Sequence, residues 1–220
     1  MSDGGGRTLW GRLSSCNVQK VLWALEELAL PYRRIDLGGD FGGLDDPAYR
    51  AMNPNGRVPT LRDGDLIVWE SDAIVRYLAA RYGAGSLWPA DPVERAPIEQ
   101  WMSWGTTEMM PDWIALFWRL VRTPPGQRDA RVIARHHKAS VERFQLLDRH
   151  MADGRRFVAS DALTMADMPF GMMLYRWYEM EIERPAVPNV DAYYARLLKR
   201  PAYRTAICIP FDDLVGKSSF

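Results

Sequence analysis

Apolar positions in the first 83 residues switch between two periods. Thr8 to Leu13 reads as a short strand, and Val18, Val21, Leu22, Leu25 and Leu28 then fall on one face of a helix. Leu30-Pro31 breaks that helix, Tyr32 to Leu37 is a second strand candidate, and a loop with Gly38, Gly39, Gly42 and Gly43 follows. Val58 to Leu61 and Leu66 to Trp69 read as two more strands around the Asp63-Gly64 turn. Ser71 opens a helix with Ile74, Tyr77 and Leu78 inward, ending near Gly83. The order βαβ, loop, ββα predicts an α/β domain on a four-stranded mixed sheet.

Beyond Gly83 the period-two signal is lost. Residues 84–92 hold two prolines and no periodic pattern, which marks a linker. Residues 93–121 form a long helical stretch rich in Trp and Met, interrupted at Pro111 and closed by Thr123-Pro124-Pro125-Gly126. Gln127 to Met151 and Met165 to Glu181 are two further helices. Val190, Tyr193, Tyr194, Leu197 and Leu198 trace the face of a fourth, which stops at Arg200-Pro201. The organisation expected is an α/β domain over residues 1–83, a linker over 84–92 and an all-helical bundle over 93–220.

Charge and composition narrow the partners. The 220 residues carry 28 Lys+Arg and 28 Asp+Glu, so no global field draws in a polyanion. The balance holds locally too, with 10 basic and 11 acidic residues up to Gly83 and 18 and 17 beyond it. Arg119 to Arg143 is the steepest basic excess. It lacks interleaved aromatics and reads as a solvated helix face, so nucleic acid is not expected. Lys occurs only at 20, 138, 199 and 217; the other cations are Arg, the residue suited to bidentate carboxylate pairs. Met1 to Gly6 has no apolar core of an export signal, and no apolar run reaches the roughly 20 residues a membrane helix needs. With Cys16 and Cys208 far apart and unpaired in motif, a cytoplasmic protein is expected. His136 and His137 are adjacent and His150 is distant from both, so no metal site is expected.

The segment Asn53-Pro54-Asn55-Gly56-Arg57-Val58-Pro59-Thr60-Leu61 carries the clearest chemistry. A proline at a strand start withholds one ladder hydrogen bond, and the Val58-Pro59 bond can be cis, leaving the Val58 N–H and C=O to pair with an extended peptide. Glu70-Ser71 opens a helix, where Ser71 and free N–H groups can hold a carboxylate while Glu70 holds an amine. Arg57 adds a cation for a second carboxylate. Amine and carboxylate on one carbon describe an amino acid.

These residues, in this order, resemble the thioredoxin-like domain of the glutathione transferases, and the likeness extends through the linker and the helical half. The resemblance implies that Val58, before the cis-Pro59, binds the cysteinyl backbone of glutathione. It also implies that Glu70 and Ser71 take the γ-glutamyl end and Arg57 the glycine carboxylate. The family's helical domain carries a capping box like Thr164-Met165-Ala166-Asp167, which is assigned to folding. Glutathione is then co-substrate, with no separate cofactor, and the protein a homodimer acting on a small hydrophobic electrophile.

A thiol with a pKa of about 8.5 is a few per cent ionised at neutral pH, so a transferase must stabilise the thiolate. Lowering that pKa by about two units takes roughly 2.7 kcal/mol, the size of one charge-assisted hydrogen bond plus a helix N-terminus. Ser14-Ser15-Cys16-Asn17 sits at the strand-to-helix turn where both are available. In the serine-type classes, theta and phi, the activating serine lies two residues before the position of Asn17, which selects Ser15 with Asn17 as second contact. Cys16 is the rival. In the cysteine-type classes a cysteine in this turn forms a mixed disulfide with glutathione, which would make the protein a thiol-disulfide oxidoreductase. Register favours Ser15, since the neighbour of a catalytic position should point elsewhere; Ser14 is a third option. A non-catalytic binding protein on the same scaffold is the other alternative, disfavoured because Arg57, Val58, Pro59, Glu70 and Ser71 are all present. For the electrophile pocket the aromatic-rich helix suggests Trp104, Glu108 and Trp113.

Overall fold

Four short strands organise the first half of the chain. The structure, a computed structural model, describes residues 6–217; residues 1–5, which open the segment read above for an export signal, and 218–220 lie outside them. Strands β1 (Arg7–Trp10), β2 (Arg33–Ile35), β3 (Thr60–Asp63) and β4 (Leu66–Trp69) form one sheet in the order β2-β1-β3-β4. β1 runs parallel to β2 and antiparallel to β3, and β3 is antiparallel to β4, giving the mixed sheet expected. Pairing in the third strand starts at Thr60 opposite Trp69, two residues later than the hydrophobic run begins, because Pro59 has no N–H for the ladder.

Helices α1 (Cys16–Glu27) and α3 (Ser71–Tyr82) pack together beside this sheet and follow the periodicity of the sequence. Between them stands α2 (Pro47–Met52), which the sequence reading missed. Six residues are too few to show a period, yet its start is conventional: Asp46 accepts from the Ala48 N–H at 2.8 Å and Pro47 occupies the first turn.

The helical half begins with α4 (Pro92–Trp104) and α5 (Met110–Phe117). The interruption expected at Pro111 is a wide π turn over Gly105–Met109, and a second follows α5 over Trp118–Arg122. The chain stays helical from Pro92 to Arg122, because a wider turn accommodates the hydrogen bond that proline cannot make. Next come α6 (Ala130–His150), capped by Asp129, and α7 (Asp167–Glu179), then α8 (Pro188–Leu197) and α9 (Pro201–Ile207). α9 was not anticipated: Pro201 reads as a stop, whereas it is the first residue of the next helix.

α1 joins the halves. Trp23 is fully buried, edge-on to Tyr203 of α9 at 5.0 Å, and a Cβ on Gly171 of α7 would lie 2.3 Å from its ring. Its indole N–H donates to Glu27, which binds Arg200 through both carboxylate oxygens at 2.7 and 2.6 Å. Lys20, 1% exposed, pairs with Asp72 of α3 at 2.5 Å, and Thr106 of the first π turn donates to the same carboxylate at 2.7 Å. Asp167 at the start of α7 is wholly buried and accepts from Val158 N–H, Thr164 N–H and the Thr164 and Tyr193 hydroxyls. It thus makes the reach-back half of a capping box, while the Thr164 hydroxyl turns to Asp167 itself. Burial pushes the Asp167 carboxyl up to about 6 in spite of those donors.

Candidate active site

Ser15 is the N-cap residue of α1, and its hydroxyl makes no capping bond. The turn that presents it is held by its own backbone and by both halves of the molecule. Ser15 N–H donates to the Arg12 carbonyl at 3.2 Å, Gln19 Nε2 to the Leu13 carbonyl at 3.0 Å, and Arg176 of α7 to the Ser14 carbonyl at 2.7 Å. The Asn17 side chain follows on the first turn, where its Oδ1 accepts from the Ser71 hydroxyl at 3.4 Å. That contact fixes the amide and leaves its Nδ2 donor for a ligand.

Ser14, Ser15, Cys16 and Asn17 border a cavity of about 370 Å³, with Arg57 and Val58 on the same wall. The Val58-Pro59 peptide is cis, as the sequence suggested. Among the described residues, no backbone hydrogen bond engages Val58. The hidden scaffold is α2 and its cap. The Tyr49 hydroxyl donates to the Arg57 carbonyl at 2.6 Å, Asn53 Nδ2 donates to the same carbonyl at 2.8 Å, and Thr60 Oγ1 lies within 3.0 Å of both side chains. This knot of buried polar groups clamps the chain just before Val58. An Asn and a Tyr at these positions gave no sign of it, since a six-residue helix hides which side chains turn inward.

Glu70 and Ser71 stand apart from the cavity wall. Glu70 is exposed at the N-cap of α3 with a φ of 67°, in the left-handed region uncommon outside glycine. Buried Ser71 touches the site through Asn17. Cys16 corrects the register argument: it does not turn away but lines the cavity beside Ser15, 8% exposed. N-cap and first helical residue can share one side, because the strict helical rotation starts only after the cap.

The far wall departs from expectation. It is built by Met110, Ile114, Phe117 and Trp118 with Leu214, and not by Trp104, Glu108 or Trp113. Trp104 packs on Trp101 and Phe170, exposed Glu108 pairs with Arg143 at 3.5 Å, and Trp113 is fully buried alongside Phe117. The cause is the π turn, which shifts the helical phase before Met110 and brings a different stripe to the cavity. Three further residues went unsuspected: Arg12 of the turn after β1, Arg122 at the end of the second π turn, and Arg176 of α7. Scattered along the chain, they share no motif. Gly38 and Gly39 of the loop after β2 explain the placement of Arg12: both have positive φ, and a Cβ on either would come within 3.0 Å of the Arg12 side chain.

A thioredoxin-like sheet joined to a helical bundle, with a cavity lined from both halves, defines the class of a two-domain glutathione-dependent enzyme. Residues 9–86 match the family profile described as glutathione S-transferase, N-terminal domain, and residues 106–201 that described as glutathione S-transferase, C-terminal domain. The chain is 43% identical over 205 residues to glutathione S-transferase GstB of Escherichia coli K12, across 92% of this chain and 98% of that one. It is 30% identical to glutathione S-transferase 3 of Zea mays over 96% of this chain and 98% of that one. Among solved structures, the theta class glutathione S-transferase of Xanthomonas axonopodis pv. citri with glutathione bound superposes with a TM-score of 0.90. That pair is 46% identical over 94% of this chain and 99% of that one. The chain belongs to the glutathione S-transferase family and is a glutathione transferase.

Proposed function

We propose that the Ser15 hydroxyl donates a hydrogen bond to the glutathione thiolate, with Asn17 Nδ2 as second donor, and that this thiolate attacks a small electrophile whose apolar part meets Met110, Ile114, Phe117 and Trp118. Glutathione is the co-substrate and no separate cofactor takes part. Its cysteinyl backbone pairs with Val58 beside cis-Pro59, its γ-glutamyl amine and carboxylate go to Glu70 and Ser71, and its glycine carboxylate goes to Arg57. The observation that carries this reading is the uncommitted Ser15 hydroxyl at a helix N-terminus on the cavity wall, a wall it shares with the uncommitted backbone of Val58. Positive helix end and hydroxyl donor together supply the thiolate stabilisation that the reaction needs. The protein is further read as a cytoplasmic homodimer, with a glutathione domain over 1–83 and a helical domain over 93–220. No helix among the described residues is long and apolar enough to cross a membrane.

Cys16 on the same wall keeps one alternative specific, a glutathione-dependent thiol-disulfide exchange through its sulfur. Ser15→Ala and Cys16→Ala, each assayed for aryl-halide conjugation and for disulfide exchange with glutathione, separate the two. Loss of conjugation in Ser15→Ala alone supports the transferase mechanism. Full conjugation in Ser15→Ala, with disulfide exchange abolished in Cys16→Ala, transfers the chemistry to the cysteine.

A further inference from the structure

Arg176 stands on α7, in the helical half, and reaches the turn of the α/β half that presents Ser15. Its Nη2 donates to the Ser14 carbonyl at 2.7 Å, across 162 positions of sequence, and lies 3.4 Å from Gln19 Oε1. Gln19, one turn into α1, donates from Nε2 to the Leu13 carbonyl at 3.0 Å, and its backbone N–H donates to the Ser15 carbonyl at 2.9 Å. The two carbonyls just before Ser15 are thus held by one amide and one guanidinium that are themselves joined. Gln19 is 1% and Arg176 2% exposed, so bulk water does not compete for these bonds.

Holding a turn needs only a neutral donor, yet the group placed here is a cation that stays protonated at any physiological pH. Among the described residues both of its acceptors are neutral, its buried Nε has no partner, and no carboxylate pairs with it. The guanidinium lies 4.7 Å above the Phe117 ring and 5.8 Å from that of Phe211, and it borders the cavity together with Ser15 and Cys16. Carbonyl dipoles and ring faces compensate a desolvated cation only in part, and an anion formed in the cavity completes the compensation. Burial lowers the Arg176 pKa; the Cys16 sulfur and Asp213 act against that shift, and the neighbouring Arg12 acts with it.

We infer that Arg176 is the positioning residue of thiolate activation: from the helical half it fixes the Ser14-Ser15 peptide that aims the Ser15 hydroxyl, and its desolvated charge favours the ionised thiol over the neutral one. This deepens, and rests on, the reading of Ser15 as the activating group. Activation then belongs to both halves of the molecule, with the donor supplied by α1 and its support by α7. The thiol proton goes to solvent, the guanidinium keeps its own protons throughout, and no bond to Arg176 forms or breaks.

The test reads the pKa of glutathione bound to the full chain, from thiolate absorbance, beside kcat and KM for aryl-halide conjugation. Arg176→Met is expected to raise that pKa by about one unit, to lower kcat about tenfold at neutral pH and to leave KM for glutathione within about twofold. The deficit in kcat should shrink as pH rises past the shifted pKa, because the medium then removes the proton unaided. Arg176→Lys, which keeps the charge, recovers part of the shift. Where Arg176→Met does not fold, Arg176→Gln takes its place, a neutral donor for which the same direction of shift is expected. An unchanged thiol pKa in the folded variant overturns the inference and leaves Arg176 to packing alone. A raised KM for glutathione at constant kcat overturns it as well, since that result gives the guanidinium to a carboxylate of the tripeptide. Ser15→Ala measured alongside separates the two readings. A shift in Ser15→Ala without one at Arg176 ends this inference only, whereas no shift in either brings down the Ser15 mechanism itself.

Discussion

The two walls of the cavity are built on different principles. On the sheet side the groups lining the cavity are Val58 and short side chains at a helix start, Ser15 and Asn17, set by local geometry within a few residues. On the helical side the facing groups are long side chains, Met110, Ile114, Trp118, Arg122 and Arg176, brought together by the phase of two π turns and the docking of α7. Backbone and turn chemistry can bind a constant peptide in only one way. Side chains on a helix face can be exchanged one at a time, which suits a wall that selects the variable substrate.

Substitutions can break that contrast, beginning with the largest effect. Asp167→Asn strikes the foundation of the helical wall: the new amide turns a donor toward N–H and O–H groups that now share a carboxylate, at a cost of about 3 kcal/mol in urea unfolding. Its pH dependence has a defined sign. The folded carboxyl titrates near 6 against an ordinary 3.8, so the native state holds an extra proton between those values and wild-type stability falls as pH rises through that window. The stability gap between wild type and Asp167→Asn should therefore narrow from pH 4 to pH 6, by up to about 3 kcal/mol, and then stay level.

Ser15→Ala tests the sheet wall next. Conjugation should slow about a hundredfold, with the pKa of the bound thiol, read from thiolate absorbance, rising by about two units and little change in glutathione affinity. An unshifted thiol pKa would take the role from Ser15.

Tyr49→Phe removes the hydroxyl that holds the Arg57 carbonyl and Thr60. The expected cost is about 1 to 2 kcal/mol of stability, with KM for glutathione rising several-fold and kcat nearly constant. An unchanged KM would show that the clamp before Val58 serves folding alone. The smallest effect belongs to Ile114→Ala, expected to raise KM for an apolar electrophile about fivefold and leave KM for glutathione alone. If both constants move together, the walls are not independent.

How far the fold was legible tracks the range of the interactions. α1, α3 and the four strands were legible because each buries one face whose spacing repeats within its own length. α2 and α9 were not, the first for want of length and the second because Pro201 both stops one helix and starts another. Of the residues nominated for the site, Ser15, Asn17, Arg57 and Val58 do border the cavity, each placed there by neighbours in the chain. Trp104, Glu108 and Trp113 were misplaced for one reason, the wide turn at Gly105–Met109, which the helical period cannot reveal.

By itself the sequence determined the mixed sheet and the helical second half, and it marked Val58-Pro59 as a bond that can be cis and Ser15 as lying at a helix start, because hydrophobic period, proline and capping chemistry act over short distances along the chain. Only the tertiary structure decided that Cys16 shares the wall with Ser15, that Tyr49 and Asn53 hold Val58 in place, and that Arg12, Arg122 and Arg176 meet. Those three arginines lie as many as 164 residues apart. Their meeting depends on a pair of glycines that accept Arg12, on two π turns that set the azimuth of Arg122, and on the packing of α7 against α1. None of these has a local signature, since each is a consequence of how finished elements stack.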